Sequence, residues 1–338
     1  MDIVVDKLIE TINKKNIKVV TISEPNHRSY TSHTFNFELM KCVLRRTDIN
    51  TFSSEKLGVF DAMMIEWHLR QKKPLPENIH KIHEWSGLGT KRWLDYFKKC
   101  RSDRYRLVGG EFNPFHPHHY EMKAINELFS PKFVKTFFES SGEIVTATEN
   151  DKLALASFQC MEDFYGNREK FWQMNIKRIL EEHDNLFIVG FHLDKGEPIG
   201  KMIKKMYPSQ SLFIGSCSIN IRTQLLIVGD ENNSPDKFNH ALETRNYKEY
   251  VDDIEDWAPP TSFERKLAKK ASDQCFYLYK VPASVKGEKI RGIGCFIAMT
   301  ESEYRDKKKM KQDIFTPIKR FDYIVYMRDS RYEEVMFL

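Results

Sequence analysis

The chain has 338 residues, 53 Lys and Arg against 48 Asp and Glu, and a formal net charge of +5, with 41% hydrophobic and 13% aromatic residues. That length fills one large domain or two small ones with ample core, while 15 Gly and 13 Pro are too few for a fibrous or disordered chain. No stretch approaches the roughly 18 apolar residues of a membrane span, and the mild charge is far from that of a dedicated nucleic-acid binder.

Met1 to Lys7 is acidic where a secretory leader would be basic and then apolar, so a soluble, cytoplasmic protein is expected. The six cysteines, at 42, 100, 160, 217, 275 and 295, include no Cys-x-x-Cys pair and read as free thiols. The one dense basic run, Arg305 to Lys311, reads as a solvated helix face.

Short apolar runs alternate with helical patterns, which predicts an α/β fold: a mostly parallel central sheet flanked by helices. The first run, Ile17 to Ser23, is β-branched and leads into Glu24-Pro25-Asn26-His27. Apolar positions at 35, 39, 40, 43 and 44 then give a helix over Phe35 to Arg46. A second strand ends at Phe52-Ser53-Ser54-Glu55, and a helix from Asp61 to Arg70 stops before Pro74. Thr90 to Cys100 puts Trp93, Leu94 and Phe97 on one helical face. The third strand, Tyr105 to Glu111, is followed by a block with no strand pattern, about 119–183, expected as a helical insertion. Leu186 to His192 is the fourth strand. Further strands are expected at Ser211 to Cys217, Gln224 to Gly229, Cys275 to Tyr279, Gly292 to Met299 and Phe321 to Met327. The acidic, Asn- and Pro-containing stretch at about 229–260 reads as a surface loop. With strands from both halves, residues 1–338 are expected to form a single domain.

Chemistry gathers where strands end. Glu24 with His27, Glu55, Glu111 and His192 all follow apolar runs, and in a parallel sheet the carboxyl ends of the strands line one crevice. In Glu24-x-x-His27 a carboxylate beside an imidazole can fix one tautomer and raise the basicity of the other nitrogen; the plainer alternative is that Glu24 caps a helix and His27 is exposed. His116, His118 and His119 are of a type that binds transition metals, but their spacing fits no standard zinc motif and a solvated loop is the expected reading. No nucleophile elbow, phosphate-binding loop, dinucleotide fingerprint or His-Glu-x-x-His motif occurs.

The order of these features resembles the erythromycin esterase-like family, which is related in fold to ChaN, Tiki and a domain of the Pasteurella mitogenic toxin. Ile22-Ser23-Glu24-Pro25-Asn26-His27 is similar to the family's Gly-Glu-x-x-His, with Ser for Gly. Glu55 matches a second strand-end Glu, and Trp93-Leu94 followed by Val108-Gly109-Gly110-Glu111 resembles a helix leading to Gly-Ile-Asp, with Glu for Asp. Arg168-Glu169 with Met174-Asn175 looks like the family's Arg-Asp-x-x-Met-x-x-Asn helix. His192 stands for its His-Asn-x-His, with Lys195 or Val189 in place of the other histidine according to register. Ile290 to Gly294 and Phe321 to Val325 resemble further family segments.

The resemblance implies hydrolysis of esters or lactones, with His27 as the base activating water, Glu24 orienting it, and Glu55 and His192 shaping the site and polarising the carbonyl. Arg28, Glu111, His116 and Lys195 are the candidate substrate-binding residues. No metal, cofactor or nucleic acid is expected, and the partner is a small-molecule or host-derived substrate. Two alternatives stay open: an effector or toxin-type domain of the same fold, delivered to a host cell, or a haem- or metal-binding relative. The oligomeric state is not legible.

Overall fold

The computed structural model describes residues 1–24, 30–54, 57–74, 91–100, 104–110, 121–162, 168–192, 197–232, 234, 237, 240–241, 244, 246–254, 261–285, 287–292, 297–302 and 314–330. Its strands are β1 (Val19–Glu24), β2 (Thr51–Ser54), β3 (Arg106–Leu107), β4 (Leu186–His192), β5 (Ser211–Val228), β6 (Lys248–Ile254), β7 (Phe276–Lys280), β8 (Lys289–Gly292), β9 (Ile297–Thr300), β10 (Ile314–Pro317) and β11 (Tyr323–Ser330). The helices used below are α1 (Asp2–Lys14), α2 (Tyr30–Arg46), α3 (Val59–Arg70), α4 (Lys91–Cys100), α5 (Met122–Leu128), α6 (Glu149–Glu162), α7 (Arg168–His183), α8 (Glu197–Met206) and α9 (Phe263–Ala271).

The main sheet runs β3-β2-β4-β1-β5-β11-β7, and all its neighbours are parallel except β11 with β7. This is the expected mostly parallel α/β sheet. Its central strands are covered on both faces, which is why they read as continuous apolar runs rather than alternating ones. On one face α1 and α2 bury Leu8, Ile9, Phe35, Met40 and Leu44 against Val20, Ile22 and Phe187. On the other, α7, α8 and α9 bury Trp172, Ile179, Ile203 and Leu267 against Val19, Ile188 and Phe213. Among the described residues no helix is long and apolar enough to cross a membrane.

Two of the expected strands, at Ser211 and Gln224, are one. β5 is 18 residues long; its first half pairs with β1 and β11, and its second half with β6 and β9. The polar stretch Asn220 to Gln224 interrupts the apolar pattern without interrupting the ladder. The surface-loop expectation for 229–260 is likewise corrected over Lys248–Ile254: β6 is an antiparallel partner of β5 despite its charged sequence KEYVDDI. The expected strand Gly292 to Met299 resolves into β8 and β9.

Between β3 and β4 the described residues form helices. α5, a turn at Pro131–Phe133, a π-helical turn at Val134–Phe138 and α6 carry a phenylalanine cluster onto α3. Phe60 stacks on Phe129 at 5.3 Å between ring centroids, Phe133 on Phe137 at 4.9 Å, and Phe137 meets Phe158 at 5.1 Å. Aromatic burial of this density is the main apolar attachment of the block.

Candidate functional site

β1 and β4 are neighbours whose onward connections diverge. From β1 the chain goes through α2, on one face, to β2; from β4 it goes through α8, on the other face, to β5 on the opposite side of β1. Such a reversal opens a crevice beyond the strands' carboxyl ends, where ligands bind in open α/β sheets.

The last residues of these strands are Glu24 and His192, and they are register partners. Ile22 pairs with Val189 but Ser23 pairs with Phe191, so Gly190 is an extra residue in β4. A bulge of this kind shifts every later pairing by one, and bulges recur beside active sites. Without it Glu24 would lie opposite Phe191.

Six of the sequence-predicted site residues, His27, Arg28, Glu55, Glu111, His116 and Lys195, lie outside the described residues, and Glu24 and His192 are placed by backbone position alone. Glu55 follows the last residue of β2, and Glu111 follows Gly110 just beyond β3. Lys195 comes three residues after His192. The His118 and His119 positions are also outside the described residues.

Beneath these strand ends lies a layer of buried serines that the sequence reading passed over. Ser23, Ser53, Ser54, Ser216 and Ser218 are all nearly inaccessible. The Ser216 hydroxyl donates to the Ser23 carbonyl at 2.5 Å, joining β5 to β1, and Ser218 donates to the Asn220 carbonyl at 2.6 Å. The signal was present: VTIS-E, TFSS-E and FIGSCS all change from apolar to serine toward their carboxyl ends. Small hydroxyl side chains there satisfy backbone carbonyls while keeping the volume near the crevice low.

Asn175 of α7 fixes the end of β3. It is fully buried, and its amide donates to the carbonyls of Gly109 at 2.7 Å and Gly110 at 3.3 Å. Its own carbonyl accepts from Arg178 at 3.3 and 3.1 Å, and Arg178 also holds Glu182 at 2.6 Å. The sequence reading met Asn175 only as part of a motif; the structure gives it the job of positioning the backbone immediately before Glu111. Asn175→Leu keeps the volume and removes both bonds, leaving buried carbonyls unpaired. A loss of about 2–3 kcal/mol in unfolding free energy is expected by denaturant titration, whereas Asn175→Asp, which cannot donate, should be at least as damaging.

Cys42, Cys217 and Cys275 are free thiols. Burial first, with Glu264 nearby, pushes the Cys217 thiol well above its ordinary value, so it is inert, while Cys275 is exposed just before β7. Among the described residues no group of three or more His, Cys, Asp or Glu side chains is arranged to hold a metal ion.

The parallel sheet with helices on both faces defines a class: doubly wound α/β proteins, in which ligands bind beyond the carboxyl ends of the strands. No protein-family model matches the sequence, and no curated protein matches it. Solved structures do match in fold. A succinoglycan biosynthesis protein aligns with TM-score 0.61 and 14% identity over 97% of this chain and 92% of its own. A protein from Bacillus cereus aligns with TM-score 0.60 and 13% identity over 94% and 90%. An erythromycin esterase variant in its open conformation aligns with TM-score 0.56 and 11% identity over 94% and 91%. The chain therefore has the fold of an erythromycin esterase along nearly its whole length.

Proposed function

We propose that the chain is a hydrolase of ester or lactone bonds whose site lies at the carboxyl ends of β1 and β4. The observation that carries this reading is the pairing of Glu24 with His192 across the Gly190 bulge, at the point where the sheet's connections diverge, in a chain with an esterase's fold. An acid and an imidazole at adjacent strand ends are the residue types that acyl hydrolysis without a covalent nucleophile requires.

In this reading His27 takes a proton from the attacking water and Glu24 holds the imidazole in the tautomer that leaves a ring nitrogen free to accept it. Glu55 and His192 shape the site and polarise the carbonyl oxygen as charge builds on it, and the proton that His27 took from water passes to the leaving alkoxide. Arg28, Glu111, His116 and Lys195 contact the substrate. The whole of 1–338 acts as one domain, with 119–183 inserted as a helical block beside the crevice.

The test is turnover of a panel of aryl esters, alkyl esters and macrolactones by the purified chain, followed by His27→Ala and His192→Ala. Each variant should lose roughly a hundredfold in kcat/KM, the usual worth of a positioned acid or base, with the melting temperature unchanged. Failure of every ester and lactone, or full activity in both variants, would remove the assignment.

A further inference from the structure

The second surface of interest lies away from the strand-end crevice. α8 and α9 pack on the same face of the sheet, where Ile199, Ile203, Phe263 and Leu267 are buried together with Phe213, Ile318 and Phe321. Their outer faces carry Lys204, Lys205, Lys266, Lys269 and Lys270, all exposed, and Lys319 is exposed on the turn between β10 and β11.

These cations form one continuous surface because the turn ties the helices together. Lys204 Nζ donates to the Arg320 carbonyl at 3.5 Å and lies 4.8 Å above the Phe213 ring. On the other side the Ile318 amide donates to the Glu288 carbonyl at 3.0 Å, and Lys266 bonds the Glu288 carboxylate at 2.5 Å. Lys270 is held 5.0 Å above the Tyr279 ring.

Neighbouring acids do little to balance the charge. Glu264 is buried, Glu288 is taken by Lys266, and Asp322 accepts the Phe213 amide at 2.8 Å. Asp273 is exposed, but beyond the end of α9. Some helical cations elsewhere are paired instead. On α7 Lys177 faces Glu181 and Arg178 faces Glu182 one turn on, and on α1 Asp6 meets Arg46. Lys205, Lys269 and Lys319 have no ion pair among the described residues. A one-signed, exposed cluster repels itself and gains free energy beside an anionic surface.

We infer that this face docks on an anionic phospholipid bilayer, holding the protein at a membrane surface by electrostatics without insertion. The chemistry favours headgroups over a nucleic acid. The cations are almost all lysine, point charges suited to diffuse attraction rather than the forked geometry that reads bases and phosphates. The aromatic rings of the face are buried or half-buried, so no platform for base stacking is offered. Each lysine near such a surface adds to the attraction, which falls off within a Debye length and is weakened by salt.

Vesicle co-sedimentation of the full chain tests this. Neutral phosphatidylcholine vesicles should bind nothing, and vesicles with about 30 mol% phosphatidylserine should bind it at low salt and release it as salt rises. Lys205→Glu/Lys269→Glu/Lys319→Glu should weaken binding at least about tenfold at an unchanged melting temperature. A control with the same charge change on the opposite face, Lys7→Glu/Lys14→Glu/Arg45→Glu, should bind like the parent. The inference is overturned by equal binding of the two variants, by binding to neutral vesicles, or by no binding to anionic vesicles. Retention on heparin or RNA without vesicle binding would assign the face to a polymeric anion instead, and also overturns it.

Discussion

Replacing Gly109 with alanine is expected to destabilise the protein by about 3 kcal/mol, the upper end of what overpacking costs in a well-packed interior. A methyl at this position would lie 2.4 Å from both the Gly58 carbonyl oxygen and the Val59 Cα. Both obstacles are backbone, so no side chain can turn aside; either the end of β3 or the start of α3 must move. In a chain of this size the melting temperature should fall by roughly 4 °C in differential scanning calorimetry. Gly110→Ala provides the contrast. There the added methyl meets the Ser53 hydroxyl at 3.0 Å, a small group that can rotate, and Ser53→Ala in the same chain should recover most of what is lost. Equal losses for Gly109→Ala and Gly110→Ala would show that the close approach to Gly58 is not the constraint.

The pair of glycines therefore does more than end a strand. Gly109 lets β3 pass directly against the start of α3, and Asn175 clamps the carbonyls of both glycines from the other side. The backbone leading to Glu111 is thus held between α3 and α7, and β2, whose last residue precedes Glu55, is followed in the chain by that same α3. Two of the strand-end acids depend on one junction. A mutation there is expected to disturb both together, without touching either carboxylate.

Much of this architecture is readable from residue types. β1, β4 and the first half of β5 are β-branched or aromatic runs buried on both faces, and the fold class follows from their alternation with helices. What the pattern misses has physical reasons. β6 is charged and, among the described residues, pairs with β5 alone, and its sequence KEYVDDI carries no alternation of apolar and polar residues to betray it. β3 shrinks to Arg106–Leu107 because the following glycines contribute packing rather than ladder bonds. α1 was readable: Val4, Val5, Leu8, Ile9 and Ile12 recur at helical spacing and are buried. Glu24 and His192 stand out as polar residues ending apolar runs. Their pairing does not, because it depends on one extra residue at Gly190, and register across a parallel sheet is set by packing that lies far apart in sequence. The buried serines and the clamping role of Asn175 are not legible because serine and asparagine at strand ends and in helices ordinarily read as solvent-facing.

Asp151 controls how the helical block is assembled, and its replacement should be more damaging than that of any other carboxylate among the described residues. The side chain is inaccessible and accepts four hydrogen bonds: from the Ser130 amide at 3.0 Å, the Ser130 hydroxyl at 2.6 Å, the Ala147 amide at 2.8 Å and the Thr148 amide at 2.9 Å. Thr148 returns the contact by accepting the Asp151 amide at 3.1 Å, the reciprocal arrangement of a capping box, here Thr-x-x-Asp at the start of α6. Ser130 in turn caps the Pro131–Phe133 turn through the Phe133 amide at 3.2 Å. One carboxylate thus closes two helix starts and the irregular segment before α6. Asp151→Ala removes the acceptor of all four hydrogen bonds and is expected to lower the unfolding free energy by about 4 kcal/mol, at about 1 kcal/mol for each bond lost. Burial opposes ionisation of Asp151, but the Ser130, Ala147 and Thr148 hydrogen bonds outweigh it and hold the group below its ordinary value of 3.8. The folded state therefore binds this proton more weakly than the unfolded chain. Its contribution to stability is complete above the unfolded value and is lost as the pH falls from there through the folded one. Urea titrations between neutral pH and about pH 3 should show the parent losing stability faster than Asp151→Asn, so that the difference between them narrows with acidity. A gap that stays constant across that range would mean the carboxylate's charge contributes nothing and that its shape alone holds the two helix starts together.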